Sequence, residues 1–155
     1  MAIPFTDREM AKAWRANLSA YENSQKTSRT NAHRLLLFYA VECGLKTILM
    51  KRKGHKRSDS CTEIAECQHN INKLLDCLGA GGSLNLPEIF IGEVFDTRNN
   101  KEERKLNSGQ INQMWRYGGK VISIVVTQKQ KASDEDIENK LLEISKWIVG
   151  EIEKL

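Results

Sequence analysis

Few residues in this chain can move protons or grip anions. His33, His55 and His69 are its only histidines, and histidine is the side chain that exchanges protons near neutrality. Arg29 and His33 stand one helical turn apart with Arg34 adjacent. That spacing can face a phosphate or an acidic group, or it can be a solvated first turn. His69 can serve proton transfer, or it can pack at a helix entry against a backbone carbonyl. Trp115, Arg116, Tyr117, Gly118 and Gly119 follow one another; aromatics beside an arginine can stack on bases while the arginine holds phosphate. Equally, Trp115 can be core and the glycines can permit close helix approach. The candidate catalytic residues are therefore Arg29, His33, Arg116 and Tyr117.

The strongest charge signal is the run from Lys51 to Arg57. Lys51, Arg52, Lys53, Lys56 and Arg57 place five fixed cations in seven residues. They are the candidate nucleic-acid-binding residues, since such a run can release counterions from a phosphate backbone; a solvated interhelical loop is the alternative. The formal net charge is +4, but residues 133–155 carry seven acids against three lysines, so the first 132 residues carry the excess positive charge. Cys61, Cys67, His69 and Cys77 are the only zinc candidates. They lack the short Cys spacing that brings two thiolates onto one metal, so no metal and no cofactor is expected. With no secretory context the four cysteines read as reduced thiols. No apolar run approaches the roughly 20 residues of a membrane span, and the expected setting is cytoplasmic.

These residues need elements to position them. Residues 7–22 predict a first helix, with Met10, Ala13, Trp14, Leu18 and Tyr21 at helical steps and Thr6 with Glu9 as a capping box. Ser28 to about Lys53 predicts a long central helix, apolar around most of its circumference. Within it Glu42 and Lys46 are spaced as a favourable i,i+4 pair and are expected at its solvent edge. Ser60 with Glu63 predicts a further helix start, and Gly79 its stop. A helical turn is expected near Pro87, and residues 97–110 read as a polar loop or an exposed helix start. Residues 121–126 are β-branched and could be a strand. With no evident partner strand to satisfy its hydrogen bonds, a buried helix is preferred. Ser133 followed by Asp134, Glu135 and Asp136 starts the last helix.

Two of these segments resemble a known family. The run from Arg34 to Met50 (RLLLFYAVECGLKTILM) is similar to the second helix of HEPN domains. The run from His69 to Gly79 (HNINKLLDCLG) is similar to that family's His-Asp-Leu helix. The resemblance implies an all-α fold, a four- or five-helix antiparallel bundle filling residues 1–155, with a basic interhelical loop at 51–59 and a polar loop at 97–110. It also implies a homodimer and a role in microbial anti-phage defence or a toxin–antitoxin-type system, with RNA or a protein encoded nearby as partner.

Active HEPN ribonucleases carry an Arg and a His with four to six residues between them. Here Arg98 and Asn99 match the motif's first positions, but Glu102, Glu103, Arg104 and Lys105 stand where the histidine would follow. The implied function is then a non-catalytic or atypical module that binds RNA or a protein. The alternatives are an atypical metal-independent endoribonuclease and a purely structural subunit.

Overall fold

Thr6 and Glu9 close a reciprocal cap at the head of α1 (Asp7–Glu22), each side chain taking the other's backbone N–H at 3.0 Å. In the computed structural model, which describes residues 3–125 and 128–155, α1 packs along α2 (Asn31–Lys53). From Leu37 to Met50 nearly every residue of α2 is buried, as expected of a helix apolar on all sides. Gly54 ends it in the left-handed region, φ 72°. The last helix, α6 (Asp134–Glu153), is capped by Ser133 and Asp136 and lies against α2. Gly44 sets the spacing of these three helices: a Cβ there would stand 2.8 Å from Trp14 Cε3 and 2.9 Å from Ile148 Cγ2.

The single helix expected after the basic run is broken into α3 (Thr62–Cys67) and α4 (Ile71–Cys77). Cys61, not Ser60, stands at the start of α3. Asn70 caps α4 by accepting the Lys73 N–H at 3.2 Å, so a local side-chain bond competes with helix continuation. Gln68 absorbs the corner at φ 50°. The basic loop expected at 51–59 is shorter than that, since Lys51–Lys53 are the last turn of α2 and Ser58–Ser60 form a 3-10 turn.

The all-α expectation is wrong. Residues expected as a helix turn, a polar loop or a buried helix contribute to a four-stranded antiparallel sheet in the order β2-β1-β3-β4. Its strands are β1 (Glu88–Phe95), β2 (Lys101–Leu106), β3 (Ser123–Val125) and β4 (Lys129–Lys131), with α5 (Ile111–Arg116) between β2 and β3. Pro87 precedes a strand instead of opening a helical turn. Polar segment 97–110 contains β2, whose Lys101 to Lys105 are all exposed at the sheet edge; charge on an edge strand prevents further pairing. The turn between β1 and β2 is held by Asp96, whose Oδ1 accepts the Arg98 and Asn100 N–H groups at 2.8 and 2.9 Å. A bulge interrupts the pairing between Phe90 and Glu93, with Gly92 at φ 95°. Arg104 donates to the Gly92 and Ile91 carbonyls there, at 3.1 and 3.2 Å.

Residues 123–125 are strand, against the preference for a buried helix, because β1 and β4 both pair with them. Val126 of that run lies outside the described residues. The resemblance to the all-helical HEPN family is overturned by this sheet. No helix among the described residues is long and apolar enough to cross a membrane.

Candidate functional site

Arg29 and Arg34 both point at one buried carboxylate. Glu138 of α6 accepts from Arg29 Nη1 at 3.1 Å and Arg34 Nε at 3.0 Å, and from the Tyr21 hydroxyl. The Arg29 guanidinium also stacks 4.2 Å from the Tyr21 ring centre. Burial first, then the neighbouring Glu138 charge, pushes the Tyr21 hydroxyl well above its ordinary range. Both arginines are thus engaged in holding α6 to α1 and α2. His33 is a cap: its Nδ1 accepts the Thr30 N–H at 3.0 Å. Arg116 donates to the Tyr39 hydroxyl, and Tyr117 is 76% exposed. Trp115 is core, with its indole N–H on Asp134 Oδ1 at 3.0 Å. The structure therefore brings Arg29 together with Arg34, and Arg116 with Tyr39, without gathering Arg29, His33, Arg116 and Tyr117 into one hydrogen-bonded cluster.

The basic run is internally paired. Lys51 and Lys56 reach Asp7 at 3.2 and 3.8 Å, Arg52 meets Glu151 at 2.6 Å, Lys53 bonds Glu63, and Arg57 meets Asp59 at 2.8 Å. These contacts tie the end of α2 to α1, α3 and α6. A phosphate approaching them competes with a carboxylate at every cation.

Glu42 and Lys46 are not at the solvent edge. Both side chains are about nine-tenths buried, with Lys46 Nζ 2.8 Å from Glu42 Oε2. Glu42 Oε1 lies 2.9 Å from His69 Nδ1, so His69 is bonded to a carboxylate and not to a backbone carbonyl. An ionised carboxylate only accepts, so this contact is a hydrogen bond donated by Nδ1. An apolar groove of about 310 Å³ between α1 and α2 reaches Glu42 and Lys46, but His69 is not among its walls. Among the described residues no group of three or more His, Cys, Asp or Glu side chains could hold a metal ion.

Cations and a cavity coincide elsewhere. A groove of about 350 Å³ between α1, α2 and α6 is walled by Arg8, Arg15 and Lys51 over a floor of Trp14, Ala11, Thr47 and Ile152. Helical geometry dictates this: Arg8, Ala11 and Arg15 are three and four residues apart and share one face of α1, while Lys51 lies one turn beyond Thr47 on α2. Among the described residues, Arg8 and Arg15 make no ion pair within 4.0 Å, whereas Lys51 is shared with Asp7. Burial raises the Asp7 carboxyl, and the Lys51 and Lys56 ammonium groups more than offset it, so Asp7 stays ionised below the usual carboxylate range. The volume is that of a small-ligand cleft, with an apolar floor and few polar groups at the rim.

Sequence reasoning singled out Lys51 but missed Arg8 and Arg15. Projection of α1 onto a helical wheel groups both with Ala11, at the edge of the face that carries Trp14.

The fold and groove define a mixed α/β protein: three long helices flanked by a short four-stranded sheet, with a basic cleft where the helices meet. No family model, curated protein or solved structure matches the chain. The sheet removes the helical bundle on which the RNA-binding or partner-binding module, the ribonuclease and the defence-system setting all rested. Those expectations are withdrawn.

Proposed function

We propose that the protein binds a small amphipathic anion, a carboxylate or phosphate ester bearing a compact apolar group. The observation that carries this is the meeting of Arg8 and Arg15, neither ion-paired among the described residues, with the apolar floor of Trp14 and Ile152 in one groove. The anion sits between the guanidinium groups, whose forked donors suit carboxylate and phosphate oxygens. The apolar group covers the half-buried Ala11 and Ile152, with the buried Trp14 behind them, and desolvation there supplies affinity that a bare anion lacks. Lys51 adds charge at the rim, tempered by Asp7.

Calorimetric titration with 1-naphthyl phosphate tests the reading, with inorganic phosphate and 1-naphthol as the two halves of the probe. Binding of the whole probe, and roughly tenfold or greater weakening in the Arg8→Ala/Arg15→Ala variant, is the expected result, each tenfold being about 1.4 kcal/mol. Equal binding by that variant overturns the groove. A short RNA that binds wild type tightly and is lost on charge reversal of Lys51, Arg52, Lys53, Lys56 and Arg57 would replace the reading altogether.

A further inference from the structure

Cys67 and Cys77 end two consecutive helices, and their sulfurs lie 3.7 Å apart. Cys67 is buried and Cys77 is exposed, so one thiol of the pair meets reagents from solution and the other waits behind it. The corner between them is short and strained, with Gln68 at φ 50° immediately before His69; non-glycine residues adopt that region rarely. Lys53, at the end of α2, is close enough to Cys77 and Cys61 for their charges to favour its ammonium form. Burial first, and then the neighbouring Cys77, pushes the Cys67 thiol up to about 11. Cys61 is buried and its thiol is directed to Glu63 Oε2 at 3.5 Å.

We propose that Cys77 and Cys67 form a thiol–disulfide exchange site whose substrate is a low-molecular-weight disulfide. Cys77, as thiolate, attacks one sulfur of the substrate disulfide. The substrate S–S bond breaks, a Cys77 mixed disulfide forms, and the departing thiolate takes up the proton that Cys77 released. Cys67 then attacks the Cys77 sulfur, its proton passing to the second departing thiolate. The two protein thiols are oxidised to one disulfide, and the substrate disulfide is reduced to two thiols. Proximity makes the second step intramolecular, which offsets the low thiolate fraction of a buried cysteine. The new bond joins the ends of α3 and α4 and restrains the corner that carries His69.

The folded full-length protein is incubated with oxidised glutathione, quenched with an alkylating agent, and read by intact mass and peptide mapping. Wild type is expected to lose two hydrogens and to yield a Cys67–Cys77 linked peptide, reversed by dithiothreitol. Cys67→Ser is expected to stop at one glutathione on Cys77, and Cys77→Ser to give neither product at Cys67. A wild-type product that stops at the mixed disulfide, or that links Cys77 to Cys61, overturns the proposal. The wild-type map decides the matter even if a serine variant fails to fold. Loss of 1-naphthyl phosphate binding would bear on the groove alone, since neither cysteine lines it.

Discussion

Glu42 and His69, separated by 27 residues, meet at 2.9 Å between Oε1 and Nδ1. The same carboxylate holds Lys46 Nζ at 2.8 Å through its other oxygen. One buried glutamate therefore joins the middle of α2 to the α3–α4 corner. Desolvating a carboxylate and an ammonium is costly, and removing one partner leaves the other uncompensated.

Glu42→Gln and Lys46→Met should accordingly each destabilise the protein strongly, by about 3–5 kcal/mol. The apolar double variant Glu42→Leu/Lys46→Met should recover most of that loss, because well-packed apolar groups of similar size replace a buried ion pair at little cost. Urea unfolding of the four proteins measures this. A double variant as unstable as the sum of the singles contradicts it.

Glu138 presents the same physics with two arginines. Glu138→Gln leaves Arg29 and Arg34, whose side chains are 15% and 20% exposed, without their carboxylate, and should cost about 3–5 kcal/mol. Thermal unfolding should fall by roughly 2–4 °C for each kcal/mol lost in a chain of this size. A shift of under a degree would mean that the arginines are held by other partners.

Acid should act through Glu63. The Lys53 ammonium bonded to it holds its carboxyl down from 4.5 to about 2. A depressed carboxyl stabilises the fold above its unfolded value, and that contribution is lost as pH falls through the folded value. The stability difference between wild type and Glu63→Gln should be full at neutral pH and shrink as pH drops from about 4.5 toward 2. Urea midpoints collected along that series check the sign. A difference that grows on acidification contradicts it.

Gly44 tests the three-helix junction. Its missing Cβ is filled by Trp14 and Ile148 at under 3.0 Å, so Gly44→Ala overpacks the junction and should cost about 1–3 kcal/mol despite alanine's better helix propensity. Because Trp14 floors the groove, the same variant should weaken 1-naphthyl phosphate binding. An alanine variant as stable as wild type would show that the helices separate easily.

The helices were legible where their signals are local. Thr6 with Glu9 and Ser133 with the acids after it each fix a helix start within four residues, and α1 and α6 begin where they indicate. The sheet was not legible, because its outer strands, KEERKL and KQK, carry the charges that edge strands need and so read as loop. With those strands unseen, residues 123–125 lacked partners and their β-branched character was overruled. Glu42 and Lys46 failed for a different reason. An i,i+4 glutamate–lysine pair has the same spacing whether it is solvated or buried, and only the packing of α1 against α2 distinguishes the two. The groove divides likewise: Lys51 stood out within a dense run, while Arg8 and Arg15 gained meaning only when α2 and α6 closed around Trp14.

The indole N–H resonances of Trp14, Trp115 and Trp147 give the most direct measurement of the groove. Two-dimensional NMR of the labelled protein during addition of 1-naphthyl phosphate should move the Trp14 signal, assigned by Trp14→Phe, in a saturable manner. Trp115, bonded to Asp134, should stay in place, and in Arg8→Ala/Arg15→Ala the Trp14 shift should need roughly tenfold more ligand. A Trp14 signal unmoved while binding proceeds, or one equally responsive in the double variant, would contradict the proposal that this groove binds an amphipathic anion.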